Sequence, residues 1–335
     1  MNRIFLMLIV VSFLLNSCSR NKFKVDTSDI DVNLQIYRLD KELFECNADS
    51  LNQLIPQLRN RYGEFFETFN TKVIQICPST DSAYQKMISG FITHKDMQVV
   101  YQKCKEKYPD MKEVVTQLTS GFEHYRYHFP DKEIPKIVVC MTGFNYGIFT
   151  TENNIGIGLE MYLGRNCDFY QRLQGWSQYM QYKVDKERIA SDCLYAWISG
   201  EFPNADTTET VLSNIIYQGK LLYMVNAMFP DIQDTILIGY TEEQLNWCEE
   251  YEAQMWSHLI SDKLLFSTDQ LTIRKLIMES PFTQIFTQKS PPRAGVWIGW
   301  RIVNSFMDNN PKTTLTELML MSDYQQLIQK SKYKP

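Results

Sequence analysis

Two stretches of this 335-residue chain place reactive side chains where their chemistry can be named. The first ends at Cys18. Met1-Asn-Arg3 is a short positive start, and Ile4–Leu15 is apolar apart from Ser12. Leu15-Asn16-Ser17-Cys18 then sets an aliphatic residue three before a cysteine and a small residue directly before it. The apolar run is too short to span a bilayer comfortably and suits a signal-peptide core. A cysteine that becomes the first residue on cleavage can form a thioether to diacylglyceryl and receive an N-acyl chain such as palmitate. Each buried CH₂ then contributes roughly 0.8 kcal/mol to membrane residence. The plainer alternative is an ordinary secretory signal with an incidental cysteine. The second stretch is His124-Tyr-Arg-Tyr-His128, two imidazoles at i and i+4, a spacing that can grip zinc. A zinc peptidase of the H-E-x-x-H type needs glutamate after the first histidine as general base, and Tyr125 stands there. His124 also lies about 200° around a helix from Phe122, off the apolar stripe, where solvent exposure is expected.

Other catalytic signatures are absent from the sequence. There is no G-x-S-x-G elbow, no G-x-x-x-x-G-K-[ST] phosphate loop and no G-x-G-x-x-G after a strand. Ser290-Pro-Pro-Arg-Ala-Gly-Val-Trp-Ile-Gly-Trp300 is less ordinary: Gly295 and Gly299 fall one helical turn apart, with Trp297 and Trp300 beside them. Small residues at that spacing let another backbone or a ligand approach, and Arg293 ahead of them could meet a carboxylate. Tight helix packing under a structural arginine is the competing explanation. Tyr217-Gln218-Gly219-Lys220 interrupts a strong helical pattern with a glycine that costs ~1 kcal/mol there, so Gly219 is expected to serve a close contact.

The elements that must position these residues follow from patterning. Hydrophobic residues are 44% and aromatics 13%, enough for a sizeable core and against disorder. Lys plus Arg number 34 against 39 Asp plus Glu, for a net charge of −5, and no basic block suits nucleic acid. The densest positive stretch, Arg20 to Lys24, follows Cys18 and is expected near lipid headgroups. Seven further cysteines include no C-x-x-C; buried free thiols are expected, although an envelope location permits disulfides. Alternation over Asp31–Asp40 predicts a strand, followed by helices to Phe129 punctuated by Pro56, Pro78, Pro109 and Pro130. Strand character returns at Ile134–Met141 and Ile155–Leu159, with Gly143–Asn154 as a hairpin-like connection. Capping patterns at Asp110–Glu113, Asp206–Glu209, Thr241–Gln244 and Thr314–Glu317 open further helices. The expected division is a lipoprotein signal at 1–17, a lipidated tether at 18–30 and a single domain at 31–335. That domain is α+β, mostly helical with one small sheet.

The chain resembles the gliding-motility lipoprotein B (GldB) family of Bacteroidetes. The likeness is carried by Ile134–Tyr146, Ile157-Gly-Leu-Glu-Met-Tyr-Leu-Gly164, Tyr195-Ala-Trp197 with Glu201-Phe-Pro203, and Ile216–Tyr223. Ile238–Trp247, Asp262–Asp269, Ser290–Val303 and Ser331–Pro335 complete a set covering nearly the whole mature chain. It implies an envelope lipoprotein connected with gliding and, in gliding species, with the associated secretion apparatus; it does not supply a biochemical activity. More remotely, the family is similar to predicted zinc-dependent proteases with H-E-x-x-H on one helix and glutamate on a later one. The equivalent stretches here would be Ser191–Tyr195 and Gln218-Gly219, and no histidine occurs between His128 and His258. The resemblance therefore implies a degenerate zincin-like scaffold, non-catalytic, with no metal or cofactor. Its remnant cleft would hold Ser191, Asp192, Tyr195, Gln218, Gly219 and Arg293 and bind another envelope or gliding/secretion component. The alternative is an envelope hydrolase with a non-zinc acid/base site using Asp192 and Glu160. The expected place is the outer membrane, reached through the lipid anchor and facing the periplasm.

Overall fold

A computed structural model describes residues 21–47, 50–173, 180, 183–204 and 208–335; Cys18 and the expected leader lie outside them. The sheet forms where sequence alternation gives way to solid apolar runs. In β2 (Lys136–Cys140), Ile137, Val138, Val139 and Cys140 are all buried, as a central strand covered on both faces requires. It lies between β1 (Ile36–Arg38) and β4 (Asn154–Gly158), parallel to both, and β3 (Ile148–Thr151) runs antiparallel to β4 at the edge. The order is therefore β1-β2-β4-β3. The expected connection at Gly143–Asn154 contains a strand of its own, β3, which forms the hairpin with β4, while β2 and β4 run side by side in the same direction. Gly156 is what lets β3 close on β4, since a Cβ there would stand 2.3 Å from the Phe149 ring.

The first strand is much shorter than the alternation over Asp31–Asp40 predicts. Arg38 donates to both carboxylate oxygens of buried Asp40, at 2.8 and 2.6 Å, and the chain turns there into α1 (Leu39–Phe44). Leu39 and Leu43 then bury beside the sheet. The helical stretch follows as α2 (Leu51–Tyr62), α3 (Glu64–Thr68), a π-helical turn at Phe69–Val73, α4 (Tyr84–Thr93), α5 (Lys95–Lys107) and α6 (Lys112–His128). Pro56 lies inside α2 rather than ending it. The carbonyl that its missing N–H leaves without a partner belongs to Asn52, which is exposed to water.

The remaining helices are α7 (Ile189–Glu201), α8 (Val211–Met228), α9 (Asp234–Ile238), α10 (Glu242–Ser261), α11 (Gln270–Ile277), α12 (Ala294–Asn309), α13 (Leu315–Leu320) and α14 (Tyr324–Ser331). Two capping boxes form as the sequence predicts, at Thr241–Gln244 and Thr314–Glu317. The other two starts differ or lie outside the described residues. Asp206 lies outside the described residues, and α8 is capped by Thr210, whose hydroxyl accepts from Ser213 N at 3.1 Å. At α6 the chain enters through Met111 at φ 57°, and Asp110 accepts from Lys112 N at 3.0 Å. Glu113 therefore falls one position too early to close a box, and it pairs with Lys186 instead.

The described part of the expected tether is docked on the domain. Asn21 donates to Pro230 O, Lys22 pairs with Asp308 at 2.6 Å, Phe23 meets Tyr223 edge-on and Lys24 pairs with Asp231 at 2.8 Å. The seven cysteines after Cys18 are free thiols; Cys104, Cys140, Cys167, Cys193 and Cys248 are buried.

Helices α8 and α12 share the most extensive helix–helix contact among the described residues. A Cβ on Gly219 would sit 2.3 Å from the carbonyl of Gly299, and one on Gly299 would sit 1.7 Å from Ile215 O. Backbone meets backbone there. Next to Gly219, the fully buried Lys220 donates to Met321 O and lies 4.5 Å from the Tyr324 ring centroid, and burial pulls its pKa down to about 7.

Gly299→Ala should therefore cost about 3 kcal/mol or more, or prevent folding, because main chain cannot retreat as a side chain can. Gly90→Ala, on an open face of α4 with nothing near its Cβ position, should stabilise by about 0.5–1 kcal/mol. Urea midpoints of both variants check this. Lys220→Met should raise stability by ~1 kcal/mol or more, since it removes a buried ammonium without a carboxylate partner. Above pH 7 the unfolded chain holds a proton on Lys220 that the folded chain releases, so stability from this group rises from about pH 7 up to the unfolded lysine value of about 10.4 and is flat below 7. Denaturation across that range should show the rise in the parent and not in the Met variant.

Candidate functional site

The expected cleft residues come from two adjacent helices and the start of a third. Helix α7 runs against β3, β4 and α8. Its side facing α8 carries Tyr195, whose hydroxyl donates to Gln218 Oε1 on α8. One turn earlier, Asp192 accepts from Arg188 Nη2 at 2.7 Å and from the Tyr162 hydroxyl at 3.0 Å. Ser191 is buried and donates to Arg188 O at 3.0 Å.

Arg293 arrives from the other direction. It occupies the N-cap of α12 at φ 55°, which turns the chain out of the Ser290–Pro292 loop into the helix. Its Nη2 donates to Ile238 O at 2.5 Å, and its Nε lies 2.6 Å from Glu279 Oε1. Glu279 also pairs with Lys183. Together these groups face a cavity of about 210 Å³ whose polar wall is Lys183, Arg188, Ser191, Asp192, Tyr195 and Arg293. Leu222 of α8 and Leu237 of α9 contribute to its apolar side. Gln218 reaches this cavity only through Tyr195. Gly219 does not belong to its wall, because it faces the backbone of α12.

Electrostatics in the cavity follow from burial and from which charges face one another. Burial works against the Glu279 carboxylate, but Arg293 and then Lys183 hold its pKa below the usual range. Burial, reinforced by Arg293, pulls Lys183 down to about 7 despite Glu279. Tyr195 is raised by burial, so its phenol stays neutral and donates. Arg188 Nη1 donates to Ile236 O, while its Nε is buried and makes no hydrogen bond among the described residues.

The other candidates sit elsewhere. Glu160 is fully enclosed, and its Oε1 accepts from Thr142 N, from Thr142 Oγ1 at 2.8 Å and from Phe144 N at 3.1 Å. It fastens the loop after β2 and is withdrawn from solvent. His124 Nδ1 lies 2.9 Å from Ser120 O, and burial with His124 nearby pulls His128 down to about 4. Among the described residues no three His, Cys, Asp or Glu side chains converge as metal ligands. His124 borders a larger groove of about 590 Å³ near Lys24 and Phe229, which meets the polar cavity at Ser191.

Sequence patterning did not single out Lys183, Arg188 or Glu279. Lys183 and Arg188 precede α7 and Glu279 follows α11, with no motif or period linking them. Only tertiary packing brings them to Arg293. The one available hint was an arginine ahead of a glycine-bearing helix, which called for a carboxylate without saying which.

No curated protein and no solved structure matches the chain at a significant level. A family model described as gliding motility protein GldB matches residues 20–335. That span includes every element positioning the cavity, and the chain belongs to the GldB gliding-motility family.

Proposed function

We propose that this chain is a lipid-anchored cell-envelope protein that binds another envelope or gliding/secretion component in the α7–α8–α12 cleft, without catalysis there. Cys18 would carry the lipid, in the outer membrane with the domain facing the periplasm. Family membership ties the chain to gliding motility. Among the described residues no helix is long and apolar enough to cross a membrane, which is compatible with anchoring by lipid.

The observation that carries the non-catalytic reading is the engagement of the cleft acids. A general base must offer a lone pair within hydrogen-bond reach of substrate. Both Asp192 oxygens already accept, from Arg188 and Tyr162, and Glu279 is held between two cations. Glu160, the other acid a hydrolase would need, is enclosed behind the Thr142–Phe144 loop. Tyr195 and Gln218 satisfy each other where a degenerate zincin-like scaffold would have lost its ligands. These features support recognition by a preformed polar cleft rather than turnover.

Cys18→Ala should move the protein from the membrane pellet to the soluble fraction after a high-salt wash, and the parent should survive protease added to intact cells. A variant that stays in the pellet would contradict the lipid anchor. Digestion of the parent on intact cells would place the domain outside.

A further inference from the structure

The cavity described above carries a charge imbalance that its own residues do not correct. Three cations line it, Lys183, Arg188 and Arg293, against one carboxylate in its wall, Asp192, and a second, Glu279, that pairs with Lys183 and Arg293. Among the described residues, Tyr195, Tyr162, Tyr240 and Cys193 also pack around these groups, and burial keeps the three phenols and the thiol neutral. Glu279 is shared by two of the cations, and Asp192 is divided between Arg188 and the Tyr162 hydroxyl. One positive charge is left over whenever Lys183 is protonated, which it is below about pH 7.

A second, independent observation points the same way. The Arg188 side chain is only 11% exposed, and its Nε–H is buried and makes no hydrogen bond among the described residues. A buried donor without a partner costs about 1–3 kcal/mol, and for a charged group more. Such a guanidinium is satisfied by an oxyanion, which Arg recognises through parallel N–H donors.

We propose that this cavity is an oxyanion-binding site for a carboxylate or phosphate group, held by Arg188 with Lys183 and Arg293. Its volume of about 210 Å³ lies below the ~300–1,000 Å³ of pockets that enclose drug-sized ligands. It therefore takes one anionic group, either a small free anion or the anionic end of a longer molecule whose remainder lies outside. The apolar side formed by Leu222 and Leu237 suits the carbon skeleton next to that group. Lys183, drawn down to about 7 in the empty cavity, regains its proton when an anion arrives, so binding tightens as pH falls through 7.

This inference deepens the cleft-binding reading and rests on the same cavity. Its test is calorimetric titration of the full lipoprotein in detergent, at constant ionic strength, with inorganic phosphate and with N-acetylglycine. N-acetylglycinamide serves as the uncharged control. At least one oxyanion should bind at millimolar concentration and the amide should not. Arg188→Gln should weaken binding about tenfold or more, whereas Lys312→Gln on the exposed surface should leave it unchanged. If N-acetylglycine binds, its affinity should fall between about pH 6 and 8 in the parent and stay flat in Lys183→Met. No heat with either oxyanion, or equal affinity in folded Arg188→Gln, would overturn the site; if that variant fails to fold, undiminished binding by Lys183→Met does so. Oxyanion binding with undiminished partner capture by Arg188→Gln in native membranes would support the anion site and refute the cleft as partner site. Capture lost without any oxyanion binding would do the reverse.

Discussion

The main-chain contact between α8 and α12 is the constraint on which the rest of the structure depends. Gly219 and Gly299 leave no room for a Cβ, so the two helices touch through their backbones. Around that contact Ile215, Ile216, Trp297, Ile302 and Val303 are buried, and the close approach extends dispersion contacts along both helices. Trp297 and Trp300 meet edge-to-face at 5.5 Å, and the Arg301 guanidinium lies 5.7 Å from the Trp297 ring. The glycines give up helix propensity for this approach, and the packing they permit outweighs about 1 kcal/mol per residue.

The same contact positions the cleft. Fixing α12 against α8 sets Arg293, its N-cap, beside Ile238 and Glu279 and across from Tyr195 on α7. Tyr195 in turn holds Gln218 on the α7-facing side of α8, while Gly219, one residue on, faces α12. Scaffold and site thus share one pair of adjacent residues. A substitution at the glycine acts on folding, whereas one at the glutamine acts on the cleft wall through a hydrogen bond. The charges about the cavity belong to loops and helix ends, where backbone carbonyls such as Ile236 O and Ile238 O are available to orient guanidinium groups.

Much of this was legible in the sequence where a local rule coincided with tertiary need. The capping boxes at Thr241 and Thr314 form as the local pattern dictates, each threonine hydroxyl accepting from the N–H three residues on. The glycines at 219, 295 and 299 stood out because a strong helix does not lose propensity without cause, and packing is that cause. Rules failed where a competing contact or backbone turn won. Asp40 captured Arg38 and cut the first strand short, and entry into α6 through Met111 left Glu113 one position too early to cap it. In the site, Gln218 and Arg293 were legible as types in unusual surroundings, and Tyr195 only through the family resemblance. Lys183 and Glu279 were not, since an isolated charge outside a periodic helix carries no pattern and its partner lies far away in sequence; Arg188 pairs with Asp192 four residues on, but nothing local brings it to Arg293.

The account's central claim is that the cleft wall at Tyr195 is where an envelope component is bound. Photo-crosslinking from that position tests it most directly. With Tyr195 replaced by p-azidophenylalanine, irradiation of native membranes should yield a discrete protein adduct. The same replacement at exposed Tyr127, which lies on a different cavity, should not. An adduct from Tyr127 with none from Tyr195 would place the binding surface away from the cleft and contradict the account.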